Sequence, residues 1–256
     1  MKYLEELHRL KIFHKKDVVA LVKNDNENVA KEILRRYKKQ GLISQIRRDL
    51  YSVTDLATKA CLASKFEIAC QITPSSCLAY HTALEYHGLA HQVFYLLYVF
   101  SAKTFQNFDY EGLSYIFCPM SSDAGIVCPV TDALVSVTDM ERTVLDCINR
   151  IDLCGGLEEL VQCFAIITYI NEGKLLDYLE GINKKFLYQK TGFILSYFQK
   201  EMKLSDYFFE YCKSKIEKST RYLTDTQESD TYFKEWKLCA PQNILSYLEQ
   251  GGTEYV

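Results

Sequence analysis

The stretch NENVAKEILRRYKKQGLISQIRRDLYSV, residues 26–53, joins a basic helical pattern to two short β-like segments through a glycine. In its first half, apolar residues recur every three or four positions, the spacing that places side chains on one face of an α-helix. The stripe predicted to be buried comprises Val29, Ala30, Ile33, Leu34 and Tyr37. Asn26 precedes this pattern, and its side-chain oxygen can accept hydrogen bonds from the unpaired amides of a first helical turn. We therefore predict a helix that begins near Glu27, with Asn26 as its N-cap.

The opposite face of this predicted helix is basic. Its polar positions, which we predict to contact DNA, are Asn28, Lys31, Arg35, Arg36, Lys38 and Lys39. Arg36 lies near the boundary with the apolar stripe. Lysine and arginine meet phosphates, and arginine and asparagine also read base edges in the major groove. A solvated basic helix, or a helix used for protein contacts, is the alternative interpretation.

The second half of the stretch predicts a β-hairpin. Gly41 suits the left-handed position that ends helices, and residues 42–46 and 50–53 have the composition of strands. The predicted turn contains Arg47, Arg48 and Asp49, which places both arginines where a wing reaches an adjacent DNA backbone or minor groove. Two short apolar helical patterns, at residues 1–10 and 17–22, precede the stretch. Residues 1–56 are thus predicted to form a winged helix-turn-helix domain that binds DNA.

Charge is divided unevenly along the chain. Residues 1–60 contain 14 Lys or Arg against 8 Asp or Glu, and the rest contain 16 against 25, so the two parts carry +6 and −9. A basic end joined to an acidic body is typical of a nucleic-acid-binding module attached to a body that avoids polyanions. The longest uninterrupted apolar run, residues 93–100, is far shorter than a bilayer-spanning helix. We therefore expect a cytoplasmic protein with no membrane contact.

Residues 57–220 predict a mixed α/β, helix-rich domain. A helix is expected from Pro74 to Gly88, four short strands between residues 93 and 137, and further helices after Asp139, which is a predicted N-cap. Residues 221–256 predict a polar linker followed by an amphipathic segment. The ten cysteines are scattered without a CxxC pair, which predicts reduced, mostly buried thiols. The predicted fold class is α+β, an N-terminal winged helix-turn-helix followed by this larger domain.

Two groups of side chains could carry chemistry. Cys77 and His81 lie four residues apart on one predicted helix, without a second half for a metal site or an orienting acid. Glu141, Arg142 and Asp146 lie on another predicted helix. There, Arg142 and Asp146 have the spacing of an ion pair along one helical turn. The sequence also has no phosphate-binding glycine loop. It predicts no catalytic residue, metal or cofactor, and an enzyme using either group is the least favoured hypothesis.

Three stretches together resemble the AbiEi-type antitoxins. They are GLISQIRRDLY at residues 41–51, SSCLAYHTALEYHGLAHQV at residues 75–93, and VTDMERTVLDCINR at residues 137–150, which a Gly-Gly pair follows. Their order and approximate spacing match the family over residues 10–200, and the last 50 residues do not match. Family wings commonly have Arg-Arg-Gly at the turn, whereas this chain has Asp49 in the position of the glycine. We expect its negative charge to weaken the contact of Arg47 and Arg48 with phosphate.

The resemblance implies a non-enzymatic antitoxin of abortive-infection phage defence that represses its own operon by binding repeated operator sites. It also implies a functional partner, a nucleotidyltransferase-like toxin encoded in the same operon, which a type IV antitoxin antagonises without obligatory contact. The antitoxin role is implied for the C-terminal part, where Glu141, Arg142 and Asp146 are the motif residues. The alternative is an antitoxin that sequesters the toxin by direct contact, with the winged helix as a packing module.

Overall fold

The structure is a computed structural model that describes residues 3–22, 26–224 and 231–250. It has a mixed α+β fold, and this part of the predicted fold class is confirmed. The described parts of residues 1–78, 95–121 and 128–136 form one compact unit, and those of residues 79–94, 122–127 and 137–256 form a second. The predicted domain boundaries at residues 56 and 220 divide the chain differently and stay a prediction.

The first unit begins with three helices and a three-stranded antiparallel sheet. In chain order these are α1 (Leu4–Leu10), β1 (Ile12–His14), α2 (Lys15–Leu21), α3 (Glu27–Lys39), β2 (Ile43–Arg47) and β3 (Leu50–Val53). Strand β3 pairs with both of the others, which gives the order β1-β3-β2. The sequence pattern does not reveal β1, because three residues between two helices are too few to show alternation.

Helix α3 forms where its pattern predicts it. The side chain of Asn26 accepts hydrogen bonds from the backbone N–H groups of Asn28 and Val29, at 3.0 and 3.3 Å, which confirms the predicted N-cap. Val29 itself is 44% exposed, contrary to prediction, because helical spacing places it at the edge of the apolar stripe. The other four predicted apolar residues are buried in one cluster with Leu7, Phe13, Val18, Leu42 and Val53.

A mixed sheet follows in the same unit. Its elements are α4 (Lys65–Cys70), β4 (Cys77–Leu78), β5 (Leu96–Ser101), β6 (Phe108–Tyr110) and β7 (Leu113–Pro119). The strands lie in the order β6-β7-β5-β4, with β5 and β7 parallel and the other pairs antiparallel. The prediction of a helix that opens at Pro74 is therefore wrong for Cys77 and Leu78, whose backbone pairs with β5 instead.

The second unit is rich in helices. Its elements are α5 (Tyr80–Tyr86), β8 (Ile126–Val127), β9 (Val137–Thr138), α6 (Met140–Asn149), α7 (Gly156–Ala165), α8 (Glu172–Ile182), α9 (Lys185–Ser196), α10 (Asp206–Ser214), β10 (Arg221–Tyr222), β11 (Thr231–Phe233), β12 (Leu238–Ala240) and α11 (Ser246–Gln250). Among the residues that the structure describes, no helix combines the length and the apolar character needed to cross a membrane.

The described ends of the predicted linker, residues 221–224 and 231–232, contain strand residues. Strands β10, β12 and β11 form a small sheet in that order, and Leu223, Trp236 and Leu238 are buried. Of these buried residues, Leu223 lies in the predicted linker, and Trp236 and Leu238 lie in the predicted amphipathic segment that follows it. Residues 225–230 of the predicted linker lie outside the described residues.

Candidate nucleic-acid interface

The basic face of α3 is exposed along its whole length. All six positions predicted to contact DNA on this helix have solvent-exposed side chains: Asn28, Lys31, Arg35, Arg36, Lys38 and Lys39. The buried stripe of the helix faces the core cluster, so the cationic face points away from it. The charged atoms are thus available to a polyanion without any change in the fold.

The ion pairs on this face are local and solvated. Lys31 Nζ lies 3.8 Å from Glu27 Oε2, and Arg35 Nε lies 3.3 Å from Glu32 Oε2, with every side chain more than half exposed. Lys38 Nζ donates to Gln45 Oε1 of β2 at 2.7 Å. Exposed pairs of this kind contribute about 0–1 kcal/mol each. A DNA phosphate can therefore replace the carboxylates at little cost.

The two arginines predicted to act together at the wing have different surroundings. Arg47 ends β2, and its guanidinium carbon lies 5.7 Å from the ring centre of Phe105 and 4.9 Å from that of Phe108. Burial lowers the pKa of Arg47 from its usual value. Nearby, the hydroxyl of Tyr110 donates to Ser44 Oγ at 2.9 Å. Arg47 is thus held against aromatic rings at the end of β2, and its contact with DNA stays a prediction.

Arg48 and Asp49 form the turn itself. The side chain of Arg48 is 95% exposed, and its Nε lies 3.8 Å from Asp49 Oδ2. Asp49 has φ of +62°, the left-handed conformation expected for a residue that takes the place of a glycine. Gly41 likewise has a positive φ, as predicted. The turn thus presents one cation to solvent with one carboxylate beside it.

The three motif residues of the second unit are buried. Arg142 and Asp146 on α6 form an ion pair, with Arg142 Nε donating to Asp146 Oδ2 at 2.8 Å. Burial raises the pKa of Asp146 to about 6, although the pair with Arg142 acts in the opposite direction. Arg142 also donates to the backbone oxygen of Ala124 at 2.7 Å, and Glu141 Oε1 accepts from the backbone N–H of Asn171 at 2.8 Å. These contacts give Glu141, Arg142 and Asp146 a structural role and exclude them from an exposed surface.

Asp139 is the centre of a polar cluster that the sequence reveals only in part. It caps α6 as predicted, accepting from the backbone N–H of Arg142 at 2.9 Å. Its other oxygen accepts from Lys174 Nζ at 3.0 Å and from the hydroxyl of Tyr178 at 2.8 Å. Burial raises the pKa of Tyr178 to about 12, and its hydrogen bond to Asp139 acts in the same direction. The one-turn spacing of Lys174 and Tyr178 indicates a shared partner, but only the fold identifies Asp139.

The predicted placement of Cys77 and His81 on one helix is wrong, because Cys77 lies in β4. His81 is fully buried, and its Nε2 lies 3.1 Å from Glu159 Oε1, which also accepts from the backbone N–H groups of His91 and Gln92. All ten cysteines are free and seven are buried, as predicted. Among the described residues, His, Cys, Asp and Glu form no group of three or more that could hold a metal ion.

No protein-family model matches the sequence, and no functionally curated protein matches it either. The fold is similar to that in the crystal structure of the Rv2827c protein from Mycobacterium tuberculosis, with a TM-score of 0.67. The match covers 98% of this chain and 94% of that chain at 12% sequence identity. At this identity the likeness shows a shared fold, and the function has to be argued from the residues of this chain.

Proposed function

We propose that this chain is a cytoplasmic, non-enzymatic antitoxin of the AbiEi type that represses its own operon. Its DNA-binding module is the proposed winged helix-turn-helix of residues 1–56. Its functional partner is a nucleotidyltransferase-like toxin encoded in the same operon, in a type IV system of abortive-infection phage defence. The observation that carries the proposal is the exposed cationic face of α3, together with the exposed Arg48 in the same unit.

The element order around this face supports a winged helix. A helix, a strand, two helices and two strands follow one another, and the last strand lies between the other two. In such a module the third helix enters the major groove, and the strand turn reaches the neighbouring backbone. Here α3 and the Arg48 turn occupy those positions in the chain. Lys31, Arg35 and Lys39 would then meet phosphates or base edges.

The antitoxin role is tested by rescue of growth in cells that express the neighbouring toxin. Co-expression of the full chain is expected to restore growth, and it is expected to lower the output of a reporter fused to the DNA upstream of its gene. Growth arrest that persists despite abundant folded chain would contradict the antitoxin role. An unchanged reporter would contradict the repressor role.

A second candidate is an antitoxin that sequesters the toxin by direct contact. Among the large apolar side chains that the second unit exposes, Ile166, Tyr169 and Tyr207 are each more than half exposed. The segment after Tyr169 is fixed by Glu172, whose carboxylate accepts from the backbone N–H and hydroxyl of Ser205 at 2.7 and 2.8 Å. Exposed apolar side chains on a fixed surface favour a protein partner.

Copurification separates the two candidates. Direct sequestration predicts that the tagged full chain retains the toxin in a stoichiometric complex, and that replacing Ile166 and Tyr207 by Asp abolishes both retention and rescue. The type IV proposal predicts rescue without retention, and it predicts that the same two substitutions leave rescue intact.

The different positions of the two arginines predict different effects of their removal. Arg48→Ala removes one exposed phosphate contact, so we expect about tenfold weaker DNA binding and a log–log salt slope about one unit flatter, with unchanged thermal stability. Arg47→Ala removes the packing on Phe105 and Phe108, so we expect a loss of about 1–2 kcal/mol in the free energy of unfolding. An Arg48→Ala protein that binds DNA with native affinity and salt slope would show that the turn does not contact DNA.

The aspartate at the turn predicts a gain of affinity. Asp49→Gly removes the carboxylate beside Arg48 and places glycine in a left-handed position that it adopts without strain. We expect DNA binding to strengthen by a few-fold, with a steeper salt dependence, because one repulsive charge is lost. Asp49→Asn is the matched control, since it removes the charge and keeps the size of the side chain. Weaker binding by both variants would show that Asp49 assists the contact.

A further inference from the structure

A cavity of about 680 Å³ lies within the first unit, beside the turn of the proposed wing. One side of the cavity is formed by the start of α2, Glu27 and the turn between β2 and β3. The other side is formed by two loops, at residues 72–74 and 103–106. The charged lining residues of the cavity include Lys15, Lys16, Glu27, Arg47, Asp49 and Lys103. A cavity of this size is in the range of sites that hold small molecules.

The charge of this lining is positive. Four cations face two carboxylates, and both carboxylates are already engaged: Glu27 Oε2 lies 3.2 Å from Lys15 Nζ, and Asp49 lies beside Arg48. Within the part of the chain that the structure describes, Lys16, Arg47 and Lys103 form no salt bridge. Three uncompensated cations around one cavity attract an anion, because neighbouring like charges are stabilised by a shared counter-charge.

The walls that carry these cations are fixed by hydrogen bonds. Ser101 Oγ bonds to Thr73 Oγ1 at 2.7 Å, and it also donates to the backbone oxygen of Lys103 at 2.7 Å. Ser75 Oγ accepts from the backbone N–H of Ala102 at 3.1 Å. On the other side, Arg47 is held over the rings of Phe105 and Phe108. The backbone at Lys103 and the side chain of Arg47 thus belong to a fixed frame, which lowers the entropic cost of binding.

We propose that this cavity is a binding site for a phosphate ester, held by Lys16, Lys103 and Arg47. Two sources offer that chemistry: a backbone phosphate of bound DNA, or a free phosphorylated small molecule. In the first case the site extends the DNA contact beyond α3 to Lys103, in the loop after β5. This alternative rests on the proposed function. In the second case the cavity is an effector site beside the DNA-binding face.

The test uses the full chain, inorganic pyrophosphate and a duplex of its own upstream DNA. Pyrophosphate is expected to bind with Kd below about 1 mM by calorimetry, and Lys16→Ala combined with Lys103→Ala is expected to weaken it at least tenfold. The control is Lys200→Ala combined with Lys218→Ala, an equal change of charge at exposed positions of the second unit, which should leave Kd unchanged. Native thermal stability of both variants excludes misfolding.

The DNA arm distinguishes the two sources. If the Lys16/Lys103 variant also binds the duplex more weakly and pyrophosphate competes with the duplex, the natural ligand is the DNA backbone. If duplex binding is unaffected by the variant, the ligand is a free phosphorylated compound. If pyrophosphate does not bind the native chain, and the Lys16/Lys103 variant binds the duplex with native affinity, the site is overturned and the proposed function still stands. Pyrophosphate binding through Lys16 and Lys103 in a chain that does not bind its upstream DNA would support the site and contradict the proposed function.

Discussion

Reversal of two charges on α3, Lys31→Glu with Arg35→Glu, is expected to weaken binding to the upstream DNA by at least about 100-fold near 0.1 M salt. Both side chains lie on the exposed face, and their ion pairs with Glu27 and Glu32 are solvated. The double variant replaces two attractive charges by two repulsive ones. The slope of log K against log salt should flatten by about two units, one for each lost phosphate contact. Fluorescence anisotropy at several salt concentrations measures both quantities.

The control for this experiment has the same change of net charge in the second unit. Lys200 and Lys218 are exposed there, and their reversal to Glu is expected to leave affinity within about twofold, because neither lysine is among the positions predicted to contact DNA. Both double variants should unfold at the native temperature, since exposed pairs contribute little to stability. Equal weakening by the two variants would mean that net charge, and not the α3 face, governs binding.

The second large effect, on the free energy of unfolding, is expected when the buried ion pair of α6 is broken. Arg142→Met leaves Asp146 buried without its counter-cation, and breaking such a pair costs about 3–5 kcal/mol of the free energy of unfolding. The loss should depend on pH. The folded-state pKa of Asp146 is already raised to about 6, above its ordinary value of 3.8, and removal of Arg142 raises it further. A raised carboxyl pKa favours the folded state at low pH, and this contribution is lost as pH rises towards the folded-state pKa.

The variant should therefore be more strongly destabilised at pH 8 than at pH 5, by up to about 1.4 kcal/mol per pH unit over the window between the native and variant pKa values. Urea unfolding can be followed by the fluorescence of Trp236, the single tryptophan, which is buried in the same unit. The control is Arg150→Met, which removes a half-exposed pair with Asp152 and should cost less than about 1 kcal/mol. Equal losses in both variants, or a loss that does not change with pH, would contradict this account of the pair.

Periodicity and capping were sufficient to predict α3, because its signals are local. Four apolar positions in register, Asn26 before the first turn and Gly41 after the last each act within a few residues of chain. The predicted strands on either side of the turn formed for the same reason. The exposure of the six polar positions of α3 follows from the burial of the opposite stripe. This part of the candidate interface could therefore be predicted.

The surroundings of Arg47 could not be predicted, because its partners are remote in sequence. Phe105 and Phe108 come from the loop before β6 and from β6 itself, more than 50 residues away. Local sequence predicts the same role, a DNA contact at the turn, for Arg47 and Arg48. Only tertiary packing gives the two side chains different surroundings. The cavity of the first unit was missed for the same reason, since Lys16 and Lys103 lie far apart along the chain.

Short elements and the burial of polar groups were also difficult to predict from the sequence. Cys77 and Leu78 lie in a sequence with helical character, yet their pairing with β5 overrides that local preference. Arg142 and Asp146 have the spacing of a solvent-exposed pair, and nothing in their local sequence indicates that α6 is covered on this side. Burial of charged residues depends on the packing of distant elements, so it is among the last features that sequence patterns can reveal.

The central claim, that the α3 face binds the operator of this chain's own operon, is tested most directly by one titration. The full chain is titrated with a duplex from its upstream region and with a duplex of the same composition in shuffled order, each at several salt concentrations. We predict at least about 1,000-fold tighter binding to the upstream duplex and a log–log salt slope of about −4 or steeper. Equal affinity for the two duplexes, or binding that does not change with salt, would contradict the claim.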